Sequence, residues 1–307
     1  MQKGYQVKAL RRHGKLPSFI PAIVFDQVEW IEGDILDSSL LQETMSGSDA
    51  VIHSAAKVSF SGKDRREMMV TNIEGTANIV NAALVSHTRR MVHISSVAAM
   101  GRTTNGETVS EKKQWEDSSI NTQYALSKYH AEMEVWRGAG EGLDTVILNP
   151  STILGYGDWN NSSCAIFKSA YQEFPWYSNG INGFVAVEDV ATAALMLLEN
   201  GISNERFIVN GDNWSFRRVF DCIADGFGKK RPHREATPLL AGMAWRIEKV
   251  KNLFSRHPSL LTKESARIAQ TATYFDNSKI RSTLPGLIFT PLDICIQNAC
   301  NHYLQYL

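Results

Sequence analysis

The chain has 307 residues, 43% hydrophobic and 21% charged, with 32 basic and 32 acidic side chains. This composition excludes a disordered chain, and a protein of this length buries roughly three-quarters of its unfolded surface without disulfides or a structural metal. The net charge of zero gives no electrostatic reason to bind nucleic acid or an anionic membrane. Four scattered cysteines are typical of reduced thiols, and the start of the chain has no signal-peptide pattern. We therefore predict a cytoplasmic protein with no metal site.

Short β-branched runs alternate with helical patterns through the first half of the chain. Predicted strands cover 5–10, 28–32, 49–53, 91–95 and 145–148, with predicted helices at 39–45, 72–86 and 124–137. Strands joined by crossover helices indicate an α/β fold, a Rossmann-like, doubly wound parallel sheet with helices on both faces. The second half contains a strand-helix unit at 184–199, a strand at 206–210 and a polar, helical tail. We predict a first domain of residues 1–150 with parts of 184–210, and a smaller C-terminal region of mainly 151–307.

The first predicted strand lies close to the start of the chain and ends at Arg11 and Arg12. A dinucleotide-binding sheet needs a strand, a glycine-rich turn and a helix before this point. The chain has no such turn here, and the glycines at 138–142 have the pattern of a helix-ending loop. Gly4 has the position of a helix C-cap, so residues 1–3 are predicted to be the last turn of a helix. A sheet without its central strand would leave backbone groups unpaired. We therefore predict that the sequence is shortened at its N-terminus and that, as printed, it binds dinucleotides poorly.

A phenol and an ammonium lie four residues apart at Tyr124 and Lys128, on one face of a predicted helix. Chance alone readily supplies such a pair. Its context is more specific, because Ser95 and Ser96 end a predicted buried strand upstream of the helix. The carboxyl ends of parallel strands are where folds of this kind place their chemistry. The order of strand, serine, loop and Tyr-x-x-x-Lys therefore indicates a candidate active site.

Several further motifs occur in a fixed order along the chain. They are Gly33-Asp34-Ile35, His53-Ser54-Ala55-Ala56, Asn72-Ile73-Glu74-Gly75, Asn149-Pro150-Ser151, and the segments 184–191 and 274–279. Together with the serine, tyrosine and lysine, they resemble the extended short-chain dehydrogenase/reductase family, and within it the dihydroflavonol-reductase-like branch. The resemblance covers essentially the whole chain except the absent front end. It implies an NAD(P)-dependent oxidoreductase that transfers hydride between nicotinamide and a carbonyl or alcohol substrate.

The resemblance implies catalytic roles for Ser96, Tyr124 and Lys128. A free tyrosine titrates near pKa ~10, about three units too high for easy proton exchange at neutral pH, and a nearby ammonium favours the phenolate. We predict Tyr124 as the general acid/base and Lys128 as the group that lowers the phenol pKa and binds the cofactor ribose. Ser96 would donate a hydrogen bond to the substrate oxygen. Ser95 is the alternative donor, although the spacing to Gly101 favours Ser96.

The same resemblance implies a set of cofactor-binding residues. They are Arg11, Arg12, Asp34, Ile35, Ala55, Ala56, Asn72, Tyr124, Lys128, Asn149, Pro150 and Ser151. Asp34 would bond adenine, and the small Ala55 and Ala56 would lie where the cofactor backbone passes. An arginine at the end of the second family strand suits a 2′-phosphate, so Arg12 favours NADP over NAD. The alternative for Arg12 is a solvated basic loop.

Some polar residues of these motifs have structural alternatives. Asn72 either organises a water linked to the lysine or caps a helix. His53 is predicted to be structural rather than catalytic. Asp189 opens a predicted helix, so an N-cap role explains it without any part in catalysis.

Two other functions compete with the reductase. A nucleotide-sugar dehydratase of the family usually has an Asp-Glu pair directly after the catalytic Ser or Thr, where this chain has Val97 and Ala98. A non-catalytic, cofactor-binding protein is favoured by the absent glycine turn but disfavoured by the intact Ser96, Tyr124 and Lys128. We expect a small-molecule substrate and a homodimer, as in many relatives. The aromatic residues of 159–177 (Trp159, Tyr171, Phe174, Trp176 and Tyr177) suit an apolar substrate, but core packing explains them better.

Overall fold

The computed structural model describes residues 4–12, 20–101, 106–118, 120–237 and 263–306, with the side chains of 263–266 excepted. The strands of these ranges are β1 Val7–Arg11, β2 Val28–Glu32, β3 Ala50–His53, β4 Arg90–Ile94, β5 Thr108–Val109, β6 Asp144–Pro150, β7 Thr152–Leu154, β8 Trp176–Tyr177, β9 Ile181–Ala186, β10 Glu205–Val209, β11 Asp212–Ser215, β12 Arg234–Glu235 and β13 Tyr274–Phe275. The helices are α1 Ala22–Phe25, α2 Ser38–Met45, α3 Arg65–Met69, α4 Gly75–Val85, α5 Gln123–Gly140, α6 Cys164–Tyr171, α7 Val187–Glu199, α8 Phe216–Gly226, α9 Lys263–Gln270, α10 Ser278–Thr283 and α11 Leu292–Gln305.

The central sheet has the order β10-β6-β4-β3, and all its strands are parallel. Its inner strands are apolar on both faces, and Val92, Val146 and Ile147 have no exposed surface. Helices α4 and α5 cover one face, and α7 covers the other. A sheet buried in this way needs strands that are continuously apolar, which is why the β-branched runs of the sequence predicted it. The predicted α/β, doubly wound architecture is confirmed.

Strands β1 and β2 form a separate, parallel two-stranded sheet. Among the described strands, β3 pairs only with β4, and Ile52 on this edge strand is 47% exposed. Direct pairing of β1 with β3 would have contradicted the predicted N-terminal shortening. The two strands are separate, and the shortening itself stays a prediction. The predicted helical turn at residues 1–3 lies outside the described residues, although Gly4 has a φ of +79°.

The second half of the chain builds a core of its own. A three-stranded sheet of order β11-β9-β7 packs with α6, α8 and α11 around Phe167, Phe184 and Tyr303. The predicted helical tail contains α9, α10 and α11, and α11 buries an apolar face that includes Ile296 and Cys300 against α8. Within the described ranges, no helix is both long and apolar enough to cross a membrane.

Candidate active site

Helix α5 carries the tyrosine and the lysine on the face that meets the central sheet. Its N-terminus is fixed by Thr122, whose hydroxyl accepts a hydrogen bond from the Ala125 backbone N–H at 3.0 Å. Lys128, one turn after Tyr124, is 2% exposed, and Glu132, a further turn along, has no exposed surface. Residues at i, i+4 and i+8 lie on one helix face, so the sequence alone requires the three side chains to line up.

The structure brings Ser96 and Tyr124 together at the carboxyl end of β4. Ser96 caps the short helix Val97–Met100, and its Oγ accepts a hydrogen bond from the Ala98 N–H at 3.1 Å. Its side chain also lies near the Tyr124 phenol and acts to lower the pKa of that phenol. Both residues line a cavity of about 1110 Å³. A hydroxyl and a phenol that meet inside one cavity can act on the same substrate oxygen.

The proton affinity of the phenol differs from the prediction. Burial raises the pKa of Tyr124, and the nearby Ser96 side chain opposes only part of this increase. The predicted lowering by Lys128 is wrong for this structure, because the lysine is engaged elsewhere. Its Nζ donates to the Ile94 carbonyl oxygen at 3.0 Å, below the wall of the cavity. Tyr124 is therefore a protonated phenol, a proton donor, at neutral pH.

Lys128 lies among buried polar groups. Burial lowers its pKa to about 8, and the charge of Glu132 opposes this decrease. Two histidines of adjacent strands, His53 and His93, lie with their ring centroids 5.1 Å apart and their planes tilted by 33°. Burial and the charge of Lys128 lower the pKa of both, that of His53 to about 3, so both rings are neutral. His53 also bonds the Thr76 hydroxyl at 3.0 Å, in agreement with its predicted structural role.

The motif at 149–151 follows the same strand edge. Asn149 is fully buried, and its Nδ2 donates to the Ser96 carbonyl oxygen at 2.9 Å and to Glu132 Oε1 at 2.5 Å. Pro150 and Ser151 line the cavity. The structure therefore joins Ser96, Tyr124, Pro150 and Ser151 in one cavity wall, with Asn149 directly behind it.

The apolar wall of the cavity comes from other parts of the chain than the predicted aromatic segment. Four phenylalanines contribute to it, and the ring of Phe60 lies 5.9 Å from that of Tyr124 in an edge-to-face arrangement. They are Phe60, Phe216, Phe220 and Phe275. Trp159 and Tyr171 pack around Tyr303 in the second core instead, as the alternative of core packing predicted. The other three aromatic residues, Phe174, Trp176 and Tyr177, are also absent from the cavity lining.

Two predicted helix-capping roles are wrong. Asn72 lies inside a π-helical turn, Val70–Glu74, and not at a helix start. Its side chain bonds both backbone polar groups of Lys57 and the Ser127 hydroxyl, at 2.7 to 3.0 Å, and so ties the irregular segment after β3 to α5. Asp189 lies in the first turn of α7, but the residue that caps the helix is Ala186. Its carboxylate accepts two hydrogen bonds of 2.8 Å from Thr290, which is a structural role.

The remaining predicted cofactor residues lie at the ends of β1, β2 and β3, outside the cavity. Arg11 ends β1, and the exposed Arg12 follows it with its guanidinium 3.9 Å from the Glu67 carboxylate. Asp34 accepts a hydrogen bond from the Leu36 N–H at 3.0 Å. The side chain of Ile35 is 9% exposed and packs in the core, so only its backbone lies at the strand end. Exposed alanines at 55 and 56 follow β3.

This arrangement fits one half of a dinucleotide better than the other. Tyr124, Pro150 and Ser151 surround a space of suitable size for a nicotinamide and its substrate, and Arg12 offers an exposed cation for an adenosine phosphate. Among the described residues, no glycine-rich turn leads into a helix N-terminus between β1 and β3. The pyrophosphate therefore has no backbone cradle in this part of the chain.

Several functional residues were missed by the sequence analysis. Glu132 could have been found, because it repeats the four-residue spacing of Tyr124 and Lys128. Phe60, Phe216 and Phe220 could not, because the cavity wall joins segments that are far apart in the chain and have no common motif.

Comparison with known proteins agrees with this geometry. The family model described as "NAD dependent epimerase/dehydratase family" matches residues 1–210. The chain is 31% identical to a putative dihydroflavonol 4-reductase of Synechocystis sp., over 91% of this chain and 82% of that protein. It is 28% identical to sterol demethylase protein B of Methylococcus capsulatus, over 94% and 88% of the two chains. The crystal structure of gox2253 superposes with a TM-score of 0.80 at 26% identity, covering 99% of this chain and 92% of the other.

These matches confirm the predicted Rossmann-like fold and the predicted family resemblance. They extend across most of the chain, and the two curated relatives span both its halves. The chain belongs to the NAD dependent epimerase/dehydratase family and is an enzyme, an NAD(P)-dependent oxidoreductase at the level of the family.

Proposed function

We propose that the protein is an NADP-dependent reductase that converts a carbonyl of a flat, ring-containing substrate into an alcohol. The presence of Ser96 and Tyr124 together in the lining of a cavity with an aromatic wall carries this proposal. The nicotinamide, when bound, supplies a hydride to the carbonyl carbon. The protein must then stabilise the charge on the substrate oxygen and deliver a proton to it.

Tyr124 and Ser96 perform these two tasks in the proposed reaction. Ser96 donates a hydrogen bond to the carbonyl oxygen as negative charge develops there. Tyr124 gives up its phenolic proton to the same oxygen. A raised pKa keeps Tyr124 protonated at neutral pH, which suits reduction, since the reverse oxidation needs the phenolate. Lys128, one helical turn further along α5, would bind the cofactor ribose through its ammonium group.

The aromatic wall supports the substrate class. Phe60 packs against Tyr124, and Phe216, Phe220 and Phe275 extend the apolar surface away from it. Flat rings bind well on such surfaces, because aromatic side chains offer large, rigid contact areas. A dihydroflavonol and a sterol, the compounds in the names of two relatives, are both ring systems. Asn160 and Asn161 lie on the polar side of the cavity, where substrate hydroxyls can be bonded.

Replacement of the tyrosine tests the proposal. We expect the wild-type protein to consume NADPH with ring-bearing ketones or aldehydes. Tyr124→Phe removes the proton donor but keeps the ring, so kcat should fall by roughly 10²–10⁴-fold with NADPH binding retained. Tyr129→Phe is the matched control, because Tyr129 lies on the same helix as Tyr124 but does not line the cavity. Its ring stacks on that of Trp115, with the ring centroids 4.5 Å apart.

Two outcomes would contradict the proposal. Turnover by Tyr124→Phe equal to that of Tyr129→Phe would remove the proton-donor role. Turnover of small aliphatic carbonyls with none of the ring-bearing ones would exclude the substrate class while leaving the reductase chemistry in place.

A further inference from the structure

Glu132 is a completely buried carboxylate in α5. A buried charge is costly unless it is paired and hydrogen-bonded, so a carboxylate in such a place requires an explanation. It lies one helical turn beyond Lys128 and two turns beyond Tyr124. The three side chains form a row along the helix face that meets the central sheet.

The contacts of Glu132 come from three adjacent strands of that sheet. Its Oε1 accepts hydrogen bonds of 2.5 Å from Ser95 Oγ, just after β4, and from Asn149 Nδ2 on β6. Its Oε2 lies 3.8 Å from Nη1 of Arg206 on β10. The carboxylate therefore connects α5 to the sheet at the edge where the cavity begins.

These contacts surround Ser96, which lines the cavity together with Tyr124. Asn149 Nδ2 donates both to Glu132 and to the carbonyl oxygen of Ser96. On the other side of Ser95, the carbonyl oxygen of Ile94 accepts from Lys128 Nζ. Lys128 thus holds the backbone before Ser95 and Asn149 the backbone after it, while Glu132 binds both the Ser95 hydroxyl and the Asn149 amide.

The charged and titratable groups around Lys128 indicate a second role for Glu132. From α5 itself, the charge that acts on the lysine is that of Glu132. From β3 and β4 it faces His53 and His93, whose lowered pKa values leave them uncharged. Arg206, on β10, pairs with the far oxygen of the carboxylate. Glu132 therefore supplies the negative charge that keeps an ammonium stable in this buried place.

We propose that Glu132 is a positioning residue whose carboxylate is the counter-ion of Lys128 and fixes the Ser95–Ser96 turn against α5. Its effect on turnover rests on the proposed function, whereas the charge pair itself does not. The two parts can therefore be tested separately.

The pH dependence of the melting temperature tests the charge pair without any substrate. Burial raises the pKa of Glu132 and lowers that of Lys128. The folded protein therefore loses stability as Glu132 ionises with rising pH. Glu132→Gln removes this loss, and without the carboxylate the pKa of Lys128 is lowered further. We expect the melting temperature of Glu132→Gln to increase relative to wild type as pH is raised from about 6 to about 9. Glu134→Gln, which changes an ion pair with Arg137 on the same helix, should give a curve parallel to wild type.

Parallel curves for Glu132→Gln and wild type would overturn the charge pair. If Glu132→Gln does not fold, Lys128→Met replaces it in the same measurement. Because the carboxylate is then left without its ammonium, the melting temperature of Lys128→Met should fall more steeply with rising pH than that of the wild type. Parallel curves would again overturn the charge pair.

The kinetic test separates this inference from the proposed function. In the Glu132→Gln enzyme, the alkaline limb of the kcat profile should move to lower pH by about one unit, because Lys128 loses its proton sooner. An unshifted limb with lower overall activity would mean that the role is structural only. A wild-type protein without any reductase activity would contradict the proposed function and leave the melting test to decide the charge pair.

Discussion

At the scale of single residues, two neighbouring hydroxyls have different partners. Both residues line the cavity, but the side chain of Ser96 lies near the Tyr124 phenol, whereas the Oγ of Ser95 donates to the buried Glu132. A strand alternates its side chains between two faces, and this alternation continues through the pair as the chain leaves β4. Only Ser96 is therefore placed to meet a substrate oxygen together with the tyrosine.

Alanine replacement of each serine checks this assignment. Ser96→Ala should lower kcat by roughly 10²–10³-fold, the usual cost of removing a donor to a developing oxyanion. Ser95→Ala removes a hydrogen bond to Glu132 and should reduce kcat much less. The measurement is kcat with NADPH at the pH of maximal activity. A larger loss for Ser95→Ala would reverse the two roles.

The sequence identified the row of residues on α5 only in part. Tyr124 and Lys128 form a motif with a known spacing, and the sequence therefore predicted both. Glu132 continues the same spacing, but burial decides its importance, and a sequence of one chain does not show which glutamates are buried. The position of Lys128 Nζ, on the Ile94 carbonyl, likewise depends on side-chain packing, so the predicted lowering of the tyrosine pKa was wrong.

At the scale of elements, β9 brings the second half of the chain against the cavity. It is antiparallel to β11 and parallel to β7, and Gly183 in its centre faces the wall residues Ser151 and Phe275. A Cβ at this glycine would lie 2.7 Å from the Phe275 ring and 2.8 Å from the Ser151 Cβ. The close approach of three chain segments therefore requires glycine here.

Gly183→Ala should destabilise the protein by about 1–3 kcal/mol, because overpacking at this point forces the neighbouring segments apart. Gly140→Ala, at the end of α5, is the control, since a Cβ there meets no atom within 4 Å. Urea denaturation of both variants measures the difference in unfolding free energy. Equal stability of the two variants would show that the wall accommodates a methyl group without strain.

Elements with a strong hydrophobic period were predictable, and short ones were not. Strand β2 was predicted with its observed bounds, and β4, β6, β10 and α5 were located within a few residues. The two-residue strands β5 and β13 pair with each other across more than 160 residues of chain, and no local pattern indicates such a contact. The phenylalanine wall escaped prediction for the same reason.

At the scale of the whole molecule, the two parallel sheets place the candidate cofactor residues in two groups. Arg12 lies at the end of β1 in the two-stranded sheet, whereas Tyr124 and Ser151 lie against the central sheet. A dinucleotide that contacts both groups would connect the two sheets. Any ligand that binds only the folded protein raises its stability by mass action, about 2.7 kcal/mol at about 100 times its Kd.

Comparison of the two dinucleotides in a thermal-shift measurement therefore tests the proposed use of NADP. NADPH should raise the melting temperature more than NADH at equal concentration, because Arg12 can pair with the 2′-phosphate in place of Glu67. Arg12→Gln should remove this difference, whereas Arg89→Gln, an exposed arginine just before β4, should keep it. The melting-temperature shifts with NADPH and NADH in the wild-type protein decide whether NADP is preferred. Equal shifts would contradict the role of Arg12.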